Sequence, residues 1–457
     1  MKLRIKVMDF SSFKAYDIRG LYQENFDEIL AADVARAMAT FLNANAIVIG
    51  HDIRSSSPTI HKAMKIALNN MGVNTYDIGL CGSEMVYFAS SNLEVEGGIM
   101  ITASHNPKNY NGLKLVKKNA VPIGSDSGLQ EIKEIIKSKK YHKNESDKLG
   151  KDEQVDISST YINHLMSYSN PEKLSPLKIV TNAGNGCAGP YLDMLETKFP
   201  FEFIKLNNLP DADFPNEVPN PMLIEQQKIV GNAVIENNAD FGIAWDGDFD
   251  RCFFFDENGR FIDGYYLVGL LAEHFIKDNP NESIVYEPRV VWNTEEIIHQ
   301  YHGKPILSKS GHAFIKRKMK EENAIFGGEM SGHYYFRNFS YADSGMIPWI
   351  IIAEILSVSG ISFSQLINKR IESFPSSGEI NFKVKDTAKV ISELKNQYKD
   401  AKYINEIDGI SMEFEEWRFN VRASNTEPLL RLNIETKNNT QLVTAKVKEL
   451  SSFIVLI

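Results

Sequence analysis

Ser104-His105-Asn106-Pro107 is the stretch best equipped for chemistry. It follows an apolar run, Gly97–Ile101, that reads as a buried strand, and it breaks at Asn106-Pro107 because the residue before a proline is pushed out of helical geometry. A hydroxyl beside an imidazole, held on a tight loop at a strand end, suits catalysis from a rigid scaffold. Serine beside histidine also arises by chance, and the string gains weight from its continuation to Asn111-Gly112-Leu113-Lys114 and from three later loops. The first of these, Asp246-Gly247-Asp248-Phe249-Asp250-Arg251, sets three carboxylates at alternate positions on a turn loosened by glycine. Such oxygens can converge on one hard divalent cation such as Mg2+. A solvated acidic turn is the plain alternative. A calcium loop of the EF-hand kind would use Glu257, but it needs glycine where Arg251 stands, and residues 252–255 read as strand.

In Gly327-Gly328-Glu329-Met330-Ser331-Gly332-His333, Glu329 and Ser331 alternate on an extended segment and can hydrogen-bond vicinal hydroxyls of a sugar. His333 can accept or give a proton near neutral pH. The last loop, Arg422-Ala423-Ser424-Asn425-Thr426-Glu427-Pro428, holds a guanidinium, two hydroxyls and an amide in one turn, the parts of a phosphate cradle. No Walker-type phosphate loop occurs, and the glycines between 184 and 189 read as loop packing.

These loops need strands to hold them, and the chain supplies them in a loose repeat. Residues 46–50, 177–181 and 283–286 are apolar strands, each followed by a polar loop and a helical pattern; residues 293–296 resemble a helix start. Each unit ends in a second strand that carries one of the reactive loops. Three α/β domains of related build follow, with a smaller α+β domain after the break at residues 374–378. The expected spans are 1–153, 154–252, 253–370 and 371–457, with residues 137–155 as a charge-rich linker and strands at 379–384 and 429–435. A chain of 457 residues accommodates that many cores. Its net charge of −9 argues against a general polyanion binder such as a nucleic-acid protein. Cys81, Cys187 and Cys252 lack metal-type spacing, and an odd count suits a reducing compartment. The basic start has no apolar signal core, and the most apolar run, residues 346–356, is too short for a bilayer and carries Glu354. A soluble cytoplasmic protein is expected, with neither nucleic acid nor membrane as partner.

Taken together, the four loops resemble the α-D-phosphohexomutase family over essentially the whole chain. The likeness extends to Phe13-Lys14-Ala15-Tyr16-Asp17-Ile18-Arg19-Gly20, to Lys309-Ser310-Gly311-His312 and to the string from Tyr341 to Trp349. Met330 looks like the phosphomannomutase/phosphoglucomutase branch, and Arg289 stands where some members carry lysine. The resemblance implies a four-domain fold around one cleft, with a last domain that hinges. It implies that Ser104 is carried as phosphoserine, that Ser104, Asp246, Asp248 and Asp250 hold one Mg2+, and that Arg19, Lys114 and Arg251 stabilise the transferring group beside His105. Arg422, Ser424, Asn425 and Thr426 would grip the phosphate that stays put. Glu329 and Ser331 would hold the sugar, Tyr16 and His312 would help bind it, and His333 with Arg289 would assist proton movement. Implied in turn are hexose phosphates as substrates and a hexose 1,6-bisphosphate as intermediate and activator. The reaction implied first is interconversion of mannose 6-phosphate and mannose 1-phosphate; glucose and glucosamine phosphates stay open as substrates, as do a phosphoserine hydrolase, a silent sugar-phosphate binder, and a monomer or a dimer.

Overall fold

The computed structural model describes residues 9–142, 148–423 and 429–456. Four sheets follow one another along the chain. In the first, of seven strands, Ala46–His51 runs parallel to Asn74–Leu80 and Gly97–Ile101, and Tyr110–Lys117 turns back antiparallel on Gly97–Ile101. In the second, of five, Phe241–Trp245 is parallel to Lys178–Asn182 and antiparallel to Cys252–Asp256. In the third, also of five, Phe326–Gly328 is parallel to Ser283–Tyr286 and antiparallel to Tyr334–Phe336. The repeat has a physical meaning here. Each of the first three reactive loops is the turn by which a buried parallel strand reverses into an antiparallel partner, with Ile101 opposite Leu113, Trp245 opposite Cys252 and Gly328 opposite Tyr334. The fourth sheet is antiparallel throughout, from Ser376–Phe382 to Tyr403–Asn405, and packs Thr387–Gln397 and Thr440–Leu456 against it.

Three seams differ from expectation. The second sheet takes in Cys252–Asp256 and Phe261–Ile262, past the boundary expected at residue 252, because Cys252–Asp256 is the hairpin partner of Phe241–Trp245. The helix Phe363–Ser373 runs across the boundary expected at 370/371, and the strand expected at 379–384 spans Ser376–Phe382. Within the expected linker, Asp152–Gln154 pairs in parallel with Asn74–Leu80 at the edge of the first sheet.

Packing divides the molecule unevenly. One apolar core runs through the first three units, joining Val86, Tyr161, Leu192, Trp245, Phe249 and Trp349, whereas the fourth keeps its own around Phe419 and Leu432. The apolar helix Ile347–Ser359 is buried in the shared core. No single helix among the described residues is long and apolar enough to cross a membrane. Glu84, fully buried in the helix Ser83–Asn92, ties the three units together. It accepts from the backbone N–H of Gly345 at 2.6 Å and of Met346 at 3.3 Å, and from the Tyr161 hydroxyl. Glu84→Ala would take the acceptor from the buried Gly345 N–H and Tyr161 hydroxyl, while the Met346 N–H keeps Ser344 Oγ at 3.1 Å, a cost of about 3 kcal/mol. A fall of several degrees in the first thermal transition is expected, and an unchanged transition would remove the clasp.

Candidate active site

Every residue of Gly97–Ile101 is buried, so the strand delivers the serine loop to a fixed place. Ser104 itself sits in the left-handed region at φ 50°, uncommon for a residue with a Cβ, and the loop around it is over-determined. Its N–H donates to Thr102 Oγ1 at 2.9 Å. Arg54, buried and paired with Asp52 at 3.2 Å, donates to the carbonyls of Ser104 (2.8 Å), Asn106 (2.6 Å), Pro107 (2.8 Å) and Tyr110 (3.1 Å). The Ser104 hydroxyl donates to Asp246 Oδ2 at 2.7 Å and lies 3.0 Å from His105 Nδ1. Burial, and then the nearby Arg251 guanidinium, hold the His105 imidazole well below its usual pKa. Nδ1, 2.5 Å from Arg251 Nη2, is therefore an acceptor on a neutral ring.

The acidic loop closes on the serine loop from the second unit. A Cβ on Gly247 would stand 2.7 Å from the Ser104 carbonyl oxygen, so the approach requires glycine there. Asp246, Asp248 and Asp250 are buried and offer ligand oxygens within 4.8 Å of one another. Oδ1 of each lacks a hydrogen-bond donor among the described residues. Like charges so placed, away from water, are costly unless a cation joins them, and an all-oxygen set suits a hard divalent ion. The residues therefore fit a metal. Lys114 Nζ offsets part of the charge, donating to Asp248 at 2.6 Å and also to Asp250. Burial raises both carboxyls; at Asp248 it is outweighed by Lys114 with Ser83 and Arg19, and the group is held below the ordinary range, while Asp250 is pushed well up, the Asp248 charge adding to burial. Arg251 donates to Asp246 Oδ2 through Nε at 2.9 Å, and Arg19 reaches Asn106 at 2.7 Å and Asp17 at 2.5 Å. The EF-hand alternative falls away: Glu257 accepts from Ser364 at the far end of Cys252–Asp256.

The third loop meets these two through His333, whose Nε2 lies 3.8 Å from Asp250 Oδ1 and whose Nδ1 is 3.1 Å from Ser331 Oγ. Burial and Arg251 push its imidazole well below the usual value, leaving it neutral at pH 7. Glu329 already receives the N–H of Gly311 at 2.6 Å and the hydroxyl of Tyr335 at 2.5 Å, one on each carboxylate oxygen. His312 stands 6.5 Å from His333, ring to ring, and Tyr16 meets its edge at 5.5 Å. From the fourth unit, Arg422 reaches in between Glu379 (3.6 Å) and Asp408 (3.9 Å). Ser424, Asn425 and Thr426 lie outside the described residues. Arg289 departs from its expected role in proton movement. It donates to Glu287 at 2.7 Å and to Glu379 at 2.8 Å; burial alone would lower its pKa, and these carboxylates more than offset that. It is a fixed positive charge.

Four residues escaped the reading of the sequence. Arg54 fastens the serine loop. Ser83 reaches Asp248. Glu287 gathers Arg289, Ser310 Oγ (3.0 Å) and the N–H of Met330 (3.2 Å). Asp343, paired with buried Lys316 at 2.6 Å, backs Asp250 and His333. Two of them left a trace without a role, Glu287 as the acid two residues before Arg289 and Asp343 within the string from Tyr341 to Trp349.

Comparison with known proteins agrees with this geometry. Four domain profiles described as phosphoglucomutase/phosphomannomutase match in order: α/β/α domain I at residues 11–143, domain II at 159–259, domain III at 263–374 and the C-terminal domain at 379–450. Similar proteins include the phosphohexose mutases of Xanthomonas campestris pv. campestris (strain B100), 49% identical over 98% of this chain and 100% of their own length. The phosphomannomutase of Vibrio cholerae is 47% identical over 98% of each chain, and that of Escherichia coli K12 is 46% identical over 96% of this chain and 97% of its own. Among solved structures, a phosphoglucomutase/phosphomannomutase family protein from Burkholderia thailandensis superposes with a TM-score of 0.88 at 29% identity over 98% of both chains. A phosphoglucomutase from Paramecium shares the fold, with a TM-score of 0.73 at 16% identity over 95% of this chain and 93% of its own. With Ser104 on an acidic trio, the Glu329–His333 loop and the Arg422 guanidinium drawn from four successive units, and these matches along nearly its full length, the chain belongs to the phosphoglucomutase/phosphomannomutase family.

Proposed function

We propose that the protein is a phosphomannomutase, an isomerase that interconverts mannose 6-phosphate and mannose 1-phosphate. The observation that carries the reading is the bond from Ser104 Oγ to Asp246 inside a buried cluster of carboxylates and cations, joined to phosphomannomutase relatives at 46–47% identity. Ser104 is the phosphoryl carrier. In the first half-reaction the anomeric oxygen of mannose 6-phosphate bonds to the phosphorus on Ser104 Oγ, the Oγ–P bond breaks, and Oγ takes up a proton in exchange for the one that the sugar hydroxyl gives to the neutral imidazole of His333. The product is the 1,6-bisphosphate, which serves from outside as an activator. It turns over in the cleft. In the second half-reaction Ser104 Oγ gives up its proton and bonds to the phosphorus at the other end, the C6 oxygen leaves and takes up the proton held by His333, and mannose 1-phosphate is free to depart.

Phosphoryl transfer asks a protein mainly for position and charge. Arg19, Lys114 and Arg251 supply positive charge around Ser104; Arg289 and Arg422, with Ser424, Asn425 and Thr426, hold the phosphate that is not transferring. Glu329 and Ser331 read hydroxyls that are nearly equivalent in the two orientations, while Tyr16 and His312 wall the sugar. Asp246, Asp248, Asp250 and the phosphorylated Ser104 would hold one Mg2+, which when bound supplies charge neutralisation at the phosphoryl oxygens. The separate core of the fourth unit suits a hinge that shuts water out. Domains at 1–153, at 154 to just past Ile262, from there to Ser373, and beyond it each furnish one loop. The reaction is cytoplasmic on this reading, since Cys81, Cys187 and Cys252 are all free and buried.

The test is a comparison of rates on mannose, glucose and glucosamine 6-phosphates, each started with a trace of the matching 1,6-bisphosphate. Mannose 1-phosphate is expected as a major product, with inorganic phosphate released only in traces. Steady phosphate release would make the protein a hydrolase, and a clear preference for glucosamine phosphate would move it to another branch.

A further inference from the structure

The helix Ser83–Asn92 opens against the acidic loop. Its N-cap, Gly82, makes no side-chain cap. A Cβ there would lie 2.2 Å from the Phe249 ring and 2.6 Å from the Asp248 carbonyl oxygen, so glycine alone lets the helix start sit flush on the loop. The loop is firm on its own side: Phe249, at φ 43°, is fully buried and packs on Tyr191 with ring centroids 5.4 Å apart. Within the contact, the backbone N–H of Ser83 donates to the Asp248 carbonyl at 3.0 Å and its hydroxyl to Asp248 Oδ2 at 2.6 Å. A serine at the first helical position ordinarily turns to water or to the backbone; this one is fully buried and meets a carboxylate 165 residues away.

That second bond decides which oxygen of Asp248 is left for a cation. Lys114 Nζ also donates to Oδ2, but the same ammonium is shared with Asp250 and follows the charges of both. Ser83 is neutral, rides on a helix start that Glu84 locks to the third unit through Gly345 at 2.6 Å, and holds one rotamer of Asp248 whatever the charge state of the trio. With Oδ2 occupied twice, Oδ1, buried and without a donor, is the oxygen available beside Asp246 and Asp250.

We propose that Ser83 is a positioning residue for the divalent cation, presenting Asp248 Oδ1 to it by holding Oδ2. The assignment rests on the reading of the three aspartates as the Mg2+ site. Residues that orient metal ligands typically matter about tenfold or more in metal affinity. In calorimetric titration of the full-length protein, freed of metal by chelation and then given MgCl2, Ser83→Ala is expected to weaken Mg2+ binding about tenfold. Ser83→Thr, which keeps the hydroxyl, restores it. In assays, most of the rate lost by the alanine variant returns as Mg2+ is raised, whereas a merely unstable variant gains little. Should Ser83→Ala not fold, Ser83→Cys, a weaker donor of similar shape, is expected to show the same shift. Wild-type affinity in a folded alanine or cysteine variant, or a threonine variant as weak as alanine, overturns the assignment while leaving the metal site standing. A wild-type protein that takes up no Mg2+ overturns both.

Discussion

Replacing Ser104 by alanine is expected to bring interconversion of mannose 6-phosphate and mannose 1-phosphate down to background, a loss of at least about 10⁴-fold. The size of the effect follows from the absence of a substitute. The hydroxyl is the atom to which phosphorus must be bonded between the half-reactions, and the neighbouring His105 has its Nδ1 engaged at 2.5 Å by Arg251. The fold should not change, because the loop is fastened through its backbone by Arg54 and Thr102. Intact mass of the isolated proteins provides the control: wild type treated with the 1,6-bisphosphate gains one phosphoryl group, and the alanine variant gains none. Wild-type-like turnover by the variant would end the phosphoserine account.

Asp246→Asn is the second. The substitution keeps shape but removes the charge that receives Ser104 at 2.7 Å and Arg251 at 2.9 Å, and it takes one ligand from the trio. An amide nitrogen turned toward either partner would set donor against donor. Loss of one charged group aimed at the reacting centre is worth about 10²–10³-fold in rate. Rate and Mg2+ affinity are expected to fall together, read by coupled assay and by titration with MgCl2. A variant that keeps its Mg2+ affinity while losing activity would leave Asp246 a role in placing Ser104 and remove it from the ligand set.

Much of this site was legible because its reactive groups are local. Ser104, the three aspartates, and Glu329 through His333 each lie on one turn between two strands, with Lys114 on the strand that follows the serine turn, and strand, turn and chemistry occupy a single window of sequence. The supports were hidden for the converse reason. Arg54 works on carbonyls about 50 residues ahead and Ser83 on an acid 165 residues ahead, and nothing in the polar loop after His51 or the small residues before Met85 marks a partner. The seam at residue 252 went astray because Cys252–Asp256 is buried throughout and follows the acidic turn with no break in composition. Arg289 read as a proton carrier while its neighbours were unknown; two carboxylates, one of them Glu379 from the fourth sheet, make it a fixed charge.

The clasp at Glu84 bears on the order in which the molecule comes into being. The ribosome makes the helix Ser83–Asn92 early, yet the Asp248 that Ser83 holds is translated 165 residues later and the Gly345 that Glu84 receives 261 residues later. Until then the hydroxyl and the carboxylate at the start of this helix lack the partners that bury them, so the helix reaches its final seat only after the third unit has been made. The serine loop likewise waits for its aspartates, so the site is complete only once the second unit has been made.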